Sequence, residues 1–188
     1  MRNFLLLAAV ALLGMTATSA QVKLGFGLGY AIPSGDIADM TDGGFSGNLE
    51  IGYGVTEDID VSLVYQGDFL VGGDLNTTAG ELSYGAVALG SYLVNGRYYF
   101  KKEGFRPYGS LALGLTSVGS VDIETAGTDV EVIASTSNFA FRPALGFKYG
   151  VLNVNATYLN AGKIGSGVNE INVSDFTVNV GLLFTIGG

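Results

Sequence analysis

The chain has 188 residues, no Cys, no His and a formal net charge of -8, with an isoelectric point near 4.3. That length suits one domain, and the acidity argues against nucleic acid as a partner. The two missing residue types exclude disulfides, thiol nucleophiles, Cys-ligated zinc and every hydrolase built on a Ser-His or Asp-His arrangement. Hydrophobic residues make up 48% and the mean hydropathy is +0.40, yet past the N-terminus no apolar run approaches the roughly 18 residues of a spanning helix. The apolar residues are dispersed through alternating segments with 30 Gly and only 3 Pro. A transmembrane barrel needs this composition, because lipid face and lumen face alternate along every strand.

Residues 1 to 20 have the layout of a cleavable signal peptide. Arg2 supplies the positive start, Phe4 to Leu13 the apolar stretch, and Thr18-Ser19-Ala20 a small-residue cleavage site before Gln21. The apolar stretch is short for an anchor helix, and no Cys follows to carry a lipid. The barrel domain is expected over 21–188.

Eight alternating segments follow. In the first, Val22, Leu24, Phe26, Leu28 and Tyr30 alternate with Lys23, Gly25, Gly27 and Gly29. In the second, Phe45, Leu49, Ile51, Tyr53 and Val55 oppose Ser46, Asn48, Glu50, Gly52 and Gly54. The third sets Ile59, Val61, Leu63, Tyr65 and Phe69 against Asp60, Ser62, Gln66 and Asp68, with Val64 on the polar side. The fourth runs from about Ser83 to Phe100. Tyr92, Val94, Tyr98 and Phe100 face outward in it, and Ser91, Asn95 and Arg97 inward. Over Gly85 to Leu89 both faces are apolar or small, which fits a buried strand and an overlong one equally.

In the fifth segment Phe105, Leu111, Leu113 and Leu115 oppose Arg106, Tyr108, Ser110, Ala112 and Gly114, with Pro107 near its start. The sixth sets Phe139, Phe141, Leu145, Phe147 and Tyr149 against Asn138, Ala140, Arg142, Gly146 and Lys148, and Pro143 marks an expected bulge. In the seventh, Leu152, Val154, Ala156 and Tyr158 oppose Asn153, Asn155 and Thr157. The eighth, Asn172 to Ile186, turns Phe176, Val178, Val180, Leu182, Phe184 and Ile186 one way and Thr177, Asn179, Gly181, Leu183 and Thr185 the other. Connections after the even segments are short, and those after the odd ones run to about ten residues or more. This asymmetry predicts an all-β, eight-stranded antiparallel up-and-down transmembrane β-barrel, with both termini periplasmic and the long loops extracellular.

The ending of the eighth segment carries a further pattern. Asn179, Gly181, Phe184 and Ile186 fit polar-x-Gly-x-x-aromatic-x-apolar, which resembles the C-terminal signal that hands bacterial outer-membrane barrels to their insertion machinery. With the spacing, Arg97-Tyr98-Tyr99-Phe100 and Arg106-Pro107-Tyr108-Gly109, the chain resembles the small eight-stranded outer-membrane barrel families. These are the OmpA-type transmembrane domain, OmpX and related porin-like barrel domains. The resemblance implies an outer-membrane protein of the Gram-negative cell envelope that meets lipid and the insertion machinery and needs no cofactor. No peptidoglycan-binding segment follows Ile186, so wall anchoring is not implied.

Projection of the strands puts Lys23, Glu50, Asp60, Asp68, Arg97, Arg106, Arg142 and Lys148 on the inner face. Charges buried there are expected to pair, because an unpaired one is costly. Counting strands around the ring predicts that Glu50 meets Arg142 across the lumen. An eight-stranded barrel is just wide enough for its own side chains, so a closed polar plug is weighed above a narrow or gated ion path. Outward aromatics are expected as two girdles. Tyr53, Tyr98, Phe100, Phe105, Tyr149 and Phe184 fall near the turns, and Tyr30, Phe45, Phe69, Phe139 and Phe176 near the loops. The long loops are acidic, through Asp36, Asp39, Asp42, Asp74, Glu81, Asp122, Glu124, Asp129, Glu131 and Glu170, with Lys163 the one base. The triad Asp36, Asp39 and Asp42 offers oxygens to a hard cation, but its spacing is not that of a Ca²⁺ loop. The pairs Gly43-Gly44 and Gly72-Gly73 read as loop punctuation.

The function expected is therefore non-enzymatic: a monomeric barrel with a structural or surface-interaction role, a possible surface ligand for its acidic loops, and room at most for a narrow pore. The alternative is a secreted, soluble, lipocalin-like barrel around an apolar ligand, which needs an apolar interior and a polar exterior. A membrane hydrolase of this form is disfavoured by the missing His.

Overall fold

The computed structural model describes residues 21–77, 80–83, 86–121, 136–164 and 170–187; the signal segment, residues 1–20, lies outside them. Eight long strands close into one antiparallel barrel: β1 (Gln21–Ser34), β2 (Thr41–Gly54), β3 (Ile59–Gly72), β6 (Ala86–Tyr99), β7 (Phe105–Val121), β8 (Thr136–Tyr149), β9 (Leu152–Ile164) and β10 (Ile171–Ile186). Between β3 and β6 a small hairpin of β4 (Asp74–Thr77) and β5 (Gly80–Ser83) forms a separate sheet, within what the sequence reads as loop. Closure is made by β1 against β10, in register from Val22 with Ile186 to Ser34 with Ser174. Residues 55–58, 100–104 and 150–151 join strands at one end, where Gln21 and Ile186 also lie; the opposite ends of the strands define the loop end.

The strands run further than the lipid-type alternation does. The first continues past Tyr30 through Pro33, and the seventh past Tyr158 to Ile164, so the connections after them shrink to residues 35–40 and 165–170. In a closed sheet a neighbouring stave offers ladder partners even where the outward residue is no longer greasy. Gly43 and Gly44 lie inside β2 beside a shift in its register with β3, not in a loop. A Cβ on Gly44 would run into the Phe69 carbonyl. Pro143, by contrast, makes no bulge. Its strand keeps one register with β7 throughout and with β9 on either side, so the outward-facing ring costs only a ladder bond.

Alternation sorts the residues as pattern dictates. Leu28, Phe45, Leu49, Leu63, Tyr92, Leu145 and Val178 are among the exposed residues of a continuous apolar exterior. The aromatics do not stop at two girdles. Tyr65 stacks against Tyr92 with centroids 5.0 Å apart, and Tyr158 bridges toward Phe176 at 4.7 Å. The interior is mixed. Polar side chains dominate toward the turns, Val64, Leu93, Ala112 and Ala140 lie in mid-lumen, and the apolar cluster they belong to extends through Ala31, Leu70, Leu89, Val118, Leu159 and Val173 toward the loop end. Val87 packs against that cluster and Leu89 belongs to it, which resolves the doubly apolar start of the fourth segment as barrel wall.

A single-turn 3-10 helix, Gly35–Asp39, turns Ile37 into this cluster, where it is 3% exposed. The turn is latched at three points. Asn172 N donates to Asp36 Oδ2 at 2.9 Å, and Thr41 Oγ1 and Met40 N both donate to the Ile37 carbonyl. Gly35 opens it at φ +74°, a conformation that side chains rarely adopt.

In the closing seam Gly27 pairs with Gly181, and a Cβ on Gly181 would meet the Phe26 carbonyl. Gly181→Val is expected to cost about 1–3 kcal/mol as an overpacking change. A denaturant midpoint equal to that of the parent, measured in vesicles, would show that the seam is not tightly packed.

Candidate functional site in the barrel lumen

Inward positions stack in tiers along the axis. In the tier nearest the turns, Asp60 is shared: Lys23 Nζ lies 3.7 Å from Oδ1, Arg97 Nη1 lies 3.6 Å from Oδ2, and the Tyr99 hydroxyl donates to Oδ2 at 3.0 Å. Above it Arg97 Nη2 donates to Glu50 Oε2 at 2.7 Å, and the guanidinium lies 4.8 Å from the centroid of the Tyr108 ring. Asparagines continue this tier, with Asn48 Nδ2 donating to Asn179 and Asn179 Nδ2 to Asn155, both at 3.3 Å. The tier below the apolar cluster holds Gln66 Nε2 donating to Asp68 Oδ2, and Thr177 Oγ1 donating to Asp175 Oδ1, each at 2.8 Å. Ser91 and Thr116 share a bond of 2.7 Å there.

Of the eight charges projected inward, Lys23, Glu50, Asp60, Asp68, Arg97, Arg142 and Lys148 are buried in the lumen. Arg106 sits at the turn-end rim instead. Its guanidinium stacks 3.9 Å from the Tyr99 centroid and donates to the carbonyls of Lys101 and Glu57. The expected Glu50–Arg142 pair does not form, because Glu50 pairs with Arg97. Ring counting treats strands as upright, but barrel strands tilt, so position around the ring does not set height along the axis. Glu50 lies beside Val64, and Val64 beside Leu93. Arg97, two inward positions further toward the turns along β6, reaches it from the same side of the lumen. Arg142 lies within electrostatic range of Glu50 and Asp68. It makes no ion-pair contact within 4.0 Å among the described residues, and its Nε has no protein partner.

Outside the wall, Lys102 Nζ donates to Glu57 Oε2 at 2.7 Å and holds that carboxyl below its ordinary range. The contribution would be present above the unfolded carboxylate range and lost on acidification. Both groups are exposed, so it is small. At the loop end, Lys163 pairs with Glu170 at 3.0 Å. Asp36 serves the 3-10 latch, and among the described residues no three carboxylates or other metal-ligating side chains gather, so the Asp36, Asp39 and Asp42 idea has no support. Asp122, Glu124, Asp129 and Glu131 lie outside the described residues.

No family model matches the sequence, and no curated protein does. Solved structures do match in shape. Neisserial surface protein A aligns over 89% of this chain and 99% of its own, at 17% identity and a TM-score of 0.66. Ail of Yersinia pestis, in a phospholipid bilayer nanodisc, aligns over 86% and 99% at 18% identity and 0.52. OprG of Pseudomonas aeruginosa aligns over 88% and 96% at 15% identity and 0.51. The chain has the fold of the small eight-stranded outer-membrane β-barrels.

Within this barrel two features escape the sequence projection. Asp175 is fully buried, although its parity with Thr177 and Asn179 puts it on the inner face and could have found it. Ile37 had no comparable signal, because a lone isoleucine in an acidic loop does not announce an inward turn. The C-terminal pattern residues divide between the faces: Asn179 is buried and bonded, Gly181 abuts the Gly27 strand, and Phe184 and Ile186 face outward.

Arg97→Met strands Glu50 without its ion pair and is expected to cost about 3–5 kcal/mol. Arg142→Met breaks no ion-pair contact and is expected to cost less. Urea unfolding in vesicles followed by circular dichroism ranks the two; the reverse order would restore the Glu50–Arg142 pairing.

Proposed function

We propose that the protein is a non-enzymatic integral outer-membrane barrel, closed to ions, whose role is structural or is exercised through its loop end. The observation that carries this reading is the inversion of the two faces. Large apolar side chains cover the exterior while Lys23, Glu50, Asp60, Asp68, Arg97, Arg142 and Asp175 are buried inside. A soluble ligand-carrying barrel needs the opposite. The ion pairs packed inside the lumen and the apolar cluster that Ile37 joins support closure rather than conduction. On this reading the turns and both termini face the periplasm, the loops face outward, and the protein is a monomer needing no cofactor.

Asn179, Gly181, Phe184 and Ile186 are proposed to serve as the address read by the insertion machinery. The exposed carboxylates of Asp36, Asp39 and Asp42 give the loop end an acidic character. One structure of Ail is a complex with the heparin analogue sucrose octasulfate. A polysulfate is a poor match for the acidic loop end here, so a cationic or neutral surface partner is the better candidate.

Refolded protein that shows a heat-dependent gel shift is expected to give no discrete conductance steps in a planar bilayer. Reproducible single-channel steps from the folded band would overturn the closed-lumen reading. For the address, Phe184→Ser combined with Ile186→Ser is expected to reduce outer-membrane accumulation at least severalfold while refolding in micelles proceeds. Unchanged accumulation in cells would remove the address from the proposal and leave the barrel itself untouched.

A further inference from the structure

The turn-end mouth of the lumen holds more positive charge than its carboxylates balance. Arg106 and Lys148 are direct partners in the β7–β8 ladder, on the inward-facing side. Like charges at opposed positions repel, so an unaided pair of this kind is unfavourable. Lys23 lies within electrostatic range of both. Asp60 is the carboxylate that faces this group, and it already contacts Lys23 and Arg97 and receives the Tyr99 hydroxyl. Glu50 is held by Arg97, and Glu57, on the turn outside, by Lys102.

Lys148 is the least compensated of the group. It is 9% exposed, its ammonium donates to the Gly150 carbonyl at 2.6 Å, and among the described residues no carboxylate oxygen lies within 4.0 Å of it. Arg106 is held in place without being neutralised, since its donors go to the turn carbonyls and its plane rests on Tyr99. Lys23 is engaged by Asp60 and by the Gln21 and Thr185 side-chain oxygens, so the unmet demand for an anion falls on Arg106 and Lys148, with the charge of Lys23 added nearby.

We infer that Lys23, Arg106 and Lys148 form a binding site for a small oxyanion of the phosphate or carboxylate class at the turn-end mouth of the barrel. The Lys148 ammonium and the Arg106 guanidinium supply charged N–H donors at the mouth, the combination that favours phosphate and carboxylate oxygens, and Lys23 adds positive charge behind them. The half-buried rim position of Arg106 leaves the site open to the aqueous side. The assignment stands on this geometry whichever way the barrel faces in its membrane.

The test titrates inorganic phosphate into the refolded, isotope-labelled protein at constant ionic strength, with chloride as the balancing ion, and follows backbone amide resonances. Saturable shifts are expected at Arg106, Lys148 and Gly150. Lys148→Gln and the rim variant Arg106→Gln, each checked for folding by gel shift, should weaken binding about fivefold to tenfold, the effect of removing one nearby charge in a partly solvated site. Repeating the titration in phosphatidylglycerol and in phosphatidylcholine vesicles separates the sources. Shifts already saturated in the anionic vesicles would assign the site to a headgroup phosphate, and saturation by added phosphate in the zwitterionic ones to a free anion; either supports it. No saturable shift, equal shifts with chloride alone, or undiminished binding in both variants would overturn it.

Discussion

Lipid offers no hydrogen-bond partner, so every backbone N–H and C=O in a spanning segment has to be satisfied within the sheet. For a chain crossing with strands, that demand is met only by closure, and closure here depends on β1 and β10 finding each other across nearly the whole sequence. Much else follows from this one seam. Antiparallel closure fixes an even stave count, a lipid face on every other residue and an interior barely wider than side chains. It also explains the small residues along the seam, since a Cβ on Gly29 or Gly181 would run into the facing backbone carbonyl of Val178 or Phe26.

A narrow interior filled with charge cannot be left to chance, because each ion inside needs a partner. The tiers meet this unevenly. Around Arg97 the compensation is dense, with Glu50, Asp60 and the Tyr108 ring all in contact with one guanidinium. Toward the loops the described residues include two buried carboxylates, Asp68 and Asp175, and one buried base, Arg142. Toward the turns the balance reverses, with Lys23, Arg106 and Lys148 around Asp60. The lumen is thus polarised along its axis, positive at the turns and negative beneath the apolar cluster, while its middle is electrically closed.

How much of this the sequence disclosed follows from which features depend on parity alone. Period-two alternation needs no knowledge of neighbours, so the eight staves, their outward residues and seven of the eight buried charges could be read from Val22 onward. Height along the axis depends on tilt and stagger, properties of the closed sheet that no single strand carries, and that is why Arg142 and not Arg97 was expected opposite Glu50. Ile37 lies in the same category. Its burial depends on a cavity walled by Leu70, Leu89 and Val173 from three distant staves, and the loop around it is otherwise acidic. Pro143 erred in the other direction, because on an outward position a missing donor removes one ladder bond without forcing an extra residue into the strand.

The apolar cluster changes what the polar lumen can be. A uniformly polar interior of this width would be a marginal water path, blocked only where side chains happen to meet. Ile37, Leu70, Leu89 and Val173 put an apolar layer toward the loop end, where an ion would have to shed its hydration. On the proposed closed reading, the excess of cations toward the turns would serve binding and not passage. The latch from Asp36 to the Asn172 amide ties that layer to the closing strand β10. The seam that makes the barrel possible is therefore also tied to its apolar layer.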